Sequence, residues 1–132
     1  MTLFANNSRE LEGIVMVMKK LGNKFRVYRV EYTALEKITF KDGVTDEFES
    51  PKIGYLVDDS ANDDNIRSKA FDAVVKEFLS NNKEIEVDRE NKTIYFGASE
   101  RFSKHLYDFR CSSELAEATV ELLTTDNFKL IK

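Results

Sequence analysis

The sequence predicts an α+β domain: an antiparallel sheet of about five to seven strands with two or three helices packed on one face. Three observations predict it. Two long segments carry apolar residues at helical spacing between recognisable start and stop signals. Several shorter segments are rich in Val, Ile, Tyr and Phe and are separated by turn residues. The chain is 42% hydrophobic and 33% charged, with ten Phe and five Tyr, which is enough apolar mass for a core. At 132 residues, with no linker, repeat or low-complexity tract, one domain spanning 1–132 is the simplest organisation. A chain of this size can bury roughly two-thirds of its unfolded surface, so it needs neither metal nor disulfide to fold.

The first helix is expected over "NNSRELEGIVMVMKKLGNK". Asn7 and Glu10 have the spacing of a capping box. Leu11, Ile14, Val15, Met18 and Leu21 fall on one side, Lys19 and Lys20 sit in the last turn, and Gly22-Asn23 supplies a left-handed stop. Four strand-like pieces follow: "KFRVYRVEY", "EKITF", "VTDEFES" and "IGYLV". The middle two form a hairpin around Asp42-Gly43. Pro51, the single proline, suits a strand start or a sheet edge. Residues 63–80 form the second helix, with a stripe of Ile66, Ala70, Phe71, Val74, Val75 and Phe78 behind Asp63 and Asp64.

"EIEVDR" and "TIYFGA" then make a second hairpin across "ENK", with Ile85 and Val87 inward and Glu84, Glu86 and Asp88 outward. "RFSKHLYDFRC" reads two ways. As a strand it aligns His105, Tyr107, Phe109 and Cys111; as a helix it aligns Phe102, Leu106 and Phe109; the strand is preferred. "SSELAEATVELL" predicts a further helix capped by Ser112 or Ser113, with Glu114 and Glu117 near its start, and "FKLIK" adds a terminal strand.

Composition excludes several functions. One His and one Cys preclude a typical zinc site within the chain, and a single Cys precludes an internal disulfide. His105 and Cys111, on a continuous strand, would lie roughly 20 Å apart at ~3.3 Å per residue, too far for a Cys–His nucleophile. There is no G-x-S-x-G, P-loop, dinucleotide fingerprint or H-E-x-x-H. No cofactor, metal ligand or catalytic residue is therefore assigned. The start lacks a basic region followed by an apolar stretch, and the apolar run "GIVMVM" is far short of the ~20 residues that span a bilayer. The expectation is a cytoplasmic protein with no membrane association.

Charge is distributed unevenly. Residues 1–32 carry six Lys/Arg and three Asp/Glu, whereas residues 33–66 carry three and nine. Two binding surfaces follow from that asymmetry. Lys19, Lys20, Lys24, Arg26, Tyr28 and Tyr32 combine cations with aromatic rings, as a single-stranded nucleic-acid platform would. That stretch lacks the glycines of the RNP1 motif, and a pI near 5.1 is not that of a nucleic-acid binder. Asp58, Asp59, Asp63 and Asp64 form an acidic surface that could dock a basic partner. Tested as a calcium loop from Asp58, it has Asp63 where glycine is required and Lys69 where glutamate is required. The functional expectation is a non-catalytic protein-interaction or regulatory module with an unidentified protein partner. The alternative is nucleic-acid binding through residues 24–32, and the third is a metal- or carboxylate-dependent enzyme around residues 58–64.

Overall fold

The computed structural model describes residues 2–59, 64–81, 85–96 and 102–129. In chain order the elements are β1 (Thr2–Ala5), α1 (Ser8–Lys20), β2 (Arg26–Thr39), β3 (Thr45–Asp58), α2 (Ile66–Asn81), β4 (Ile85–Asp88), β5 (Thr93–Phe96), β6 (Phe102–Cys111) and α3 (Glu117–Lys129). The six strands form an antiparallel sheet in the order β1-β3-β2-β6-β5-β4, so the fold is α+β with a sheet of the expected size. By compactness the chain divides into two units. The first comprises Met1–Val30, Ile53–Ala73 and Arg110–Lys132, and the second Glu31–Lys52 and Val74–Phe109.

In the first unit, α1 begins where the sequence places its cap. Asn7 Oδ1 accepts the Glu10 amide at 2.9 Å, and Glu10 Oε2 reaches back to the Asn6 amide at 2.6 Å. At its end Gly22 adopts φ +71°. The Gly22 amide donates to the Lys19 carbonyl and the Asn23 amide to the Met18 carbonyl, which is the Schellman arrangement. Leu11, Val15 and Met18 are buried, but Leu21 lies past the last helical turn and is exposed. These three pack with Ala5, Val27, Val57 and Val120 into one core cluster, with Phe25, Tyr55, Leu115 and Leu123 at its margin.

β1 was not expected. It pairs with the end of β3, Thr2 opposite Asp58 and Ala5 opposite Tyr55. The expected cap at Ser112 or Ser113 is also corrected. The Ser112 amide donates to the Arg29 carbonyl, the Arg29 amide donates to Ser112 Oγ, and the Leu115 amide donates to the Val27 carbonyl. Residues 112–115 are thus held along β2, and α3 starts only at Glu117, its first turn closed by the Val120 amide on the Ala116 carbonyl. The helix runs through Phe128 and Lys129, so the terminal strand expected to begin there is replaced by helix. Residues 130–132 lie outside the described residues.

In the second unit the expected strand pieces have fused: "EKITF" continues β2, and "VTDEFES" runs on into β3. The turn between them is as expected, with Gly43 at φ +87°, the Phe40 amide donating to the Val44 carbonyl, and Asp42 Oδ1 accepting the Val44 amide. β4 and β5 pair with Ile85 opposite Phe96 and Asp88 opposite Thr93, and β5 pairs with β6 with Thr93 opposite His105. In the β4–β5 turn Asn91 donates to both Asp88 oxygens, which holds that carboxyl below its usual range.

β6 resolves the two readings of its sequence. It is a strand, yet Leu106 and Phe109 are both buried, three residues apart. Asp108, between them, sits at φ +52°, in the left-handed region. Phe109 then stacks on Tyr32, centroids 5.8 Å apart and planes at 24°.

Burial pushes the Tyr32 hydroxyl up to about 12, and the Glu77 carboxylate adds to the rise. The folded value lies above the unfolded value of about 10. The stability this phenol contributes is therefore complete below pH ~10 and is lost as pH rises through ~12. An alkaline titration followed by tyrosinate absorbance should show Tyr32 ionising well above the ordinary tyrosine range, together with loss of the fold. Ionisation of all five tyrosines near pH 10 with the fold intact would contradict it.

Candidate binding cleft and exposed ribbon

The first unit carries a cleft of about 670 Å³. Three pieces of chain build it: the end of α1 with the loop behind it (Lys19, Asn23, Lys24), the start of β2 (Phe25, Arg26, Val27), and the segment entering α3 (Glu114, Leu115, Glu117, Val120, Glu121); Asp59 also lines it. The Gly22 stop turns the chain from helix into strand and brings Lys19 near Lys24 and Arg26. The Leu115–Val27 hydrogen bond fixes the facing wall. Phe25, Val27, Leu115 and Val120 belong to the core cluster or pack against it, so the floor is the open end of the core. The walls carry three cations on one side and three glutamates from the α3 region on the other, with Asp59 as a fourth carboxylate.

The expected nucleic-acid residues are divided by the structure. Lys19, Lys24 and Arg26 line the cleft, while Lys20 is exposed on α1 outside it. Tyr28 is 3% and Tyr32 7% exposed, so neither ring offers a face for base stacking. Their side of β2 is interior because Val30 and Ala34, which alternate with them, are buried too. Burial raises the Tyr28 hydroxyl, and the neighbouring Arg26 guanidinium partly offsets this.

The acidic residues are divided as well. Asp58 is 1% exposed, because β3 extends through it and pairs it with Thr2. Its carboxylate lies 3.5 Å from Lys69 Nζ at the start of α2. It is thus not part of an exposed acidic surface. Asp59 turns into the cleft and Asp64 is exposed before α2. Asp63 lies outside the described residues.

His105 and Cys111 take ordinary structural environments. Thr93 Oγ is hydrogen-bonded to His105 Nδ1 at 3.0 Å and lies 3.1 Å from the Asn91 carbonyl, and the imidazole stacks on Tyr107. Cys111 is half-buried, and burial pushes its thiol up, away from the thiolate that a nucleophile needs. Among the described residues no three His, Cys, Asp or Glu side chains gather as a metal site would require. No helix among them is long and apolar enough to cross a membrane.

The second unit presents a different surface. The ribbon formed by the end of β2 and the start of β3 is exposed from Phe40 to Glu49. Thr39 and Thr45 face each other across it, their hydroxyls 3.4 Å apart. Alternation from that pair puts Lys37, Thr39, Thr45, Glu47 and Glu49 on one side and Ile38, Phe40, Val44, Asp46 and Phe48 on the other. Phe40, Val44 and Phe48 are each about half exposed. β1 pairs only with residues 55–58, so among the described residues the outer edge of β3 from Thr45 to Lys52 has no neighbouring strand. Glu49 is held from the sheet side by the Tyr107 hydroxyl, a hydrogen bond that raises the phenol.

The sequence points to the cleft's Lys19, Lys24, Arg26 and Asp59, but not to its glutamate wall and not to the ribbon. Glu114 and Glu117 were read only as helix-start charges, and Phe40, Val44 and Phe48 were split between two strand pieces. The alternation of "KITF" and "VTDEF" about one turn was the available signal for the ribbon. No family model matches the chain, and no curated protein or solved structure shows significant similarity to it.

Proposed function

We propose that this chain is a non-catalytic protein-interaction module whose contact element is the exposed β2–β3 ribbon. The observation that carries the reading is the one-sided apolar patch of Phe40, Val44 and Phe48 beside an unpaired, acidic strand edge. A half-exposed Phe or Val gains roughly 1 kcal/mol on full burial, so the three together supply about 3 kcal/mol of binding. The open edge of β3 supplies backbone donors and acceptors for an added strand.

The partner that fits is an extended segment alternating apolar residues with Lys or Arg. Residues 40–49 carry Lys41 against Asp42, Asp46, Glu47 and Glu49, so a second copy of this chain would bring like charges together. Pro51 and those carboxylates guard the edge against self-pairing and leave it open to a basic strand. The nucleic-acid alternative loses support from the burial of Tyr28 and Tyr32 and from the carboxylates that share the cleft with Lys19, Lys24 and Arg26.

The test uses a blocked peptide alternating Lys and Val as the probe. Amides among residues 45–50 and that of Lys52 should gain hydrogen-exchange protection on its addition. The variant Phe40→Ser/Val44→Ser/Phe48→Ser should weaken binding about 100-fold with little change in melting temperature. Asp46→Asn/Glu47→Gln/Glu49→Gln should weaken it about tenfold and flatten its salt dependence. Protection that appears elsewhere, or that survives the triple serine variant, would refute the reading.

A further inference from the structure

The cleft of the first unit shares no lining residue with the ribbon and asks for a different occupant. Its floor is apolar, formed by Phe25, Val27, Leu115 and Val120, and continues the core cluster. Its walls are of opposite sign. Lys19 and Lys24 line one side, and Glu117 and Glu121 of α3 line the other. Glu117 and Glu121 are one turn apart on α3 and therefore share a face. Lys19 is fixed by the last turn of α1, and Lys24 by the turn into β2.

Each feature narrows the ligand. A polyanion such as single-stranded RNA would meet four carboxylates beside the three cations. A purely apolar chain would leave both charged walls unused. A volume of about 670 Å³ falls in the range of roughly 300–1,000 Å³ that encloses drug-sized molecules, larger than one amino acid needs. What matches floor, walls and size together is a short stretch of peptide with apolar side chains in the middle and charges of opposite sign at the ends.

We propose that this cleft is a second binding site, for a peptide segment in which one or two large apolar residues lie between a Lys or Arg and an Asp or Glu. The apolar residues rest on Phe25, Leu115 and Val120. The peptide's cation faces Glu117 and Glu121, and its carboxylate faces Lys19 and Lys24. The site does not depend on the ribbon, since none of its lining residues belongs to residues 37–52.

The probe is the tetrapeptide Lys-Leu-Phe-Glu, acetylated and amidated to remove its terminal charges, titrated into the full chain and followed by amide chemical shifts and calorimetry. Shift changes should centre on residues 23–27 and 114–121. The neutral analogue Gln-Leu-Phe-Gln should bind about tenfold more weakly, and so should free phenylalanine. The surface variants Lys24→Glu and Glu121→Lys, which leave the core untouched, should each weaken the parent peptide about tenfold, and raised salt should do the same. The ribbon triple serine variant should bind the tetrapeptide unchanged. Absence of shifts at about 1 mM peptide, shifts centred elsewhere, equal binding of the neutral peptide, or tighter binding of an oligonucleotide at these residues would each overturn the proposal.

Discussion

Replacing Gly54 by alanine is expected to destabilise the protein by about 2–3 kcal/mol, lowering its melting temperature by roughly 10 °C. The backbone at Gly54 is ordinary strand, so conformational strain is not the reason. Space is. An added Cβ would collide with Cζ of Phe4, approach Cε1 of the same ring at 2.8 Å, and meet the carbonyl oxygen of Ala5 at 2.7 Å. Phe4 lies opposite Leu56 in the β1–β3 register, so its ring covers the backbone one pleat along β3. The ring can be moved, but the Ala5 carbonyl cannot move without disturbing β1. Phe4→Leu in the Gly54→Ala background should therefore recover part of the loss and not all of it. Thermal melts of the single and double variants measure this. A Gly54→Ala protein within about 0.5 kcal/mol of the parent would mean that β1 does not lie against β3 as described.

That contact was invisible in the sequence, and the reason is general to this chain. Local signals were legible wherever the chain answers to its neighbours in sequence. The Asn7–Glu10 cap, the Gly22-Asn23 stop and the Asp42-Gly43 turn each place a side chain or a positive φ within a few residues of what it serves. β1 is four residues long with no alternation of its own, and only its distant partner at 55–58 makes it a strand. Ser112 has a good cap's chemistry, but Arg29 lies beside it in space and takes its hydroxyl. "DDSANDDN" looks like a solvated loop, yet its first residue is the buried end of β3 because Thr2 pairs with it. The cleft escaped for the same reason. Its cations were noticed as a strand face, and its glutamates as a helix start. The Leu115–Val27 hydrogen bond, with the two between Ser112 and Arg29, brings residues more than eighty positions apart onto facing walls.

Phe109→Ala is expected to cost about 3–5 kcal/mol, the largest loss of any single truncation in the second unit. The ring is 2% exposed, stacks on Tyr32, and carries Lys92 Nζ 5.9 Å from its centroid. The cation contributes about 0.5–1 kcal/mol at a site of this exposure, so Lys92→Ala should cost far less. What the ring does for Tyr32 supplies a second measurement. Burial is the main cause of the high Tyr32 value, so a cavity that admits water should bring that hydroxyl down from about 12 toward 10. Phe109→Leu keeps most of the volume and should leave both stability and the late-ionising tyrosine nearly intact. Asp108, immediately before Phe109, holds the backbone in the left-handed region at φ +52°, and so sets the direction in which the chain delivers that ring. Asp108→Gly should accordingly be tolerated, whereas Asp108→Val, with a branched side chain at positive φ, should lose part of the same stability and the same tyrosine signature. If Phe109→Ala unfolds the protein, the titration is carried on Phe109→Leu and Asp108→Val. An unchanged tyrosine profile in the valine variant alongside reduced stability would show that the Asp108 backbone does not set the packing of Phe109 on Tyr32.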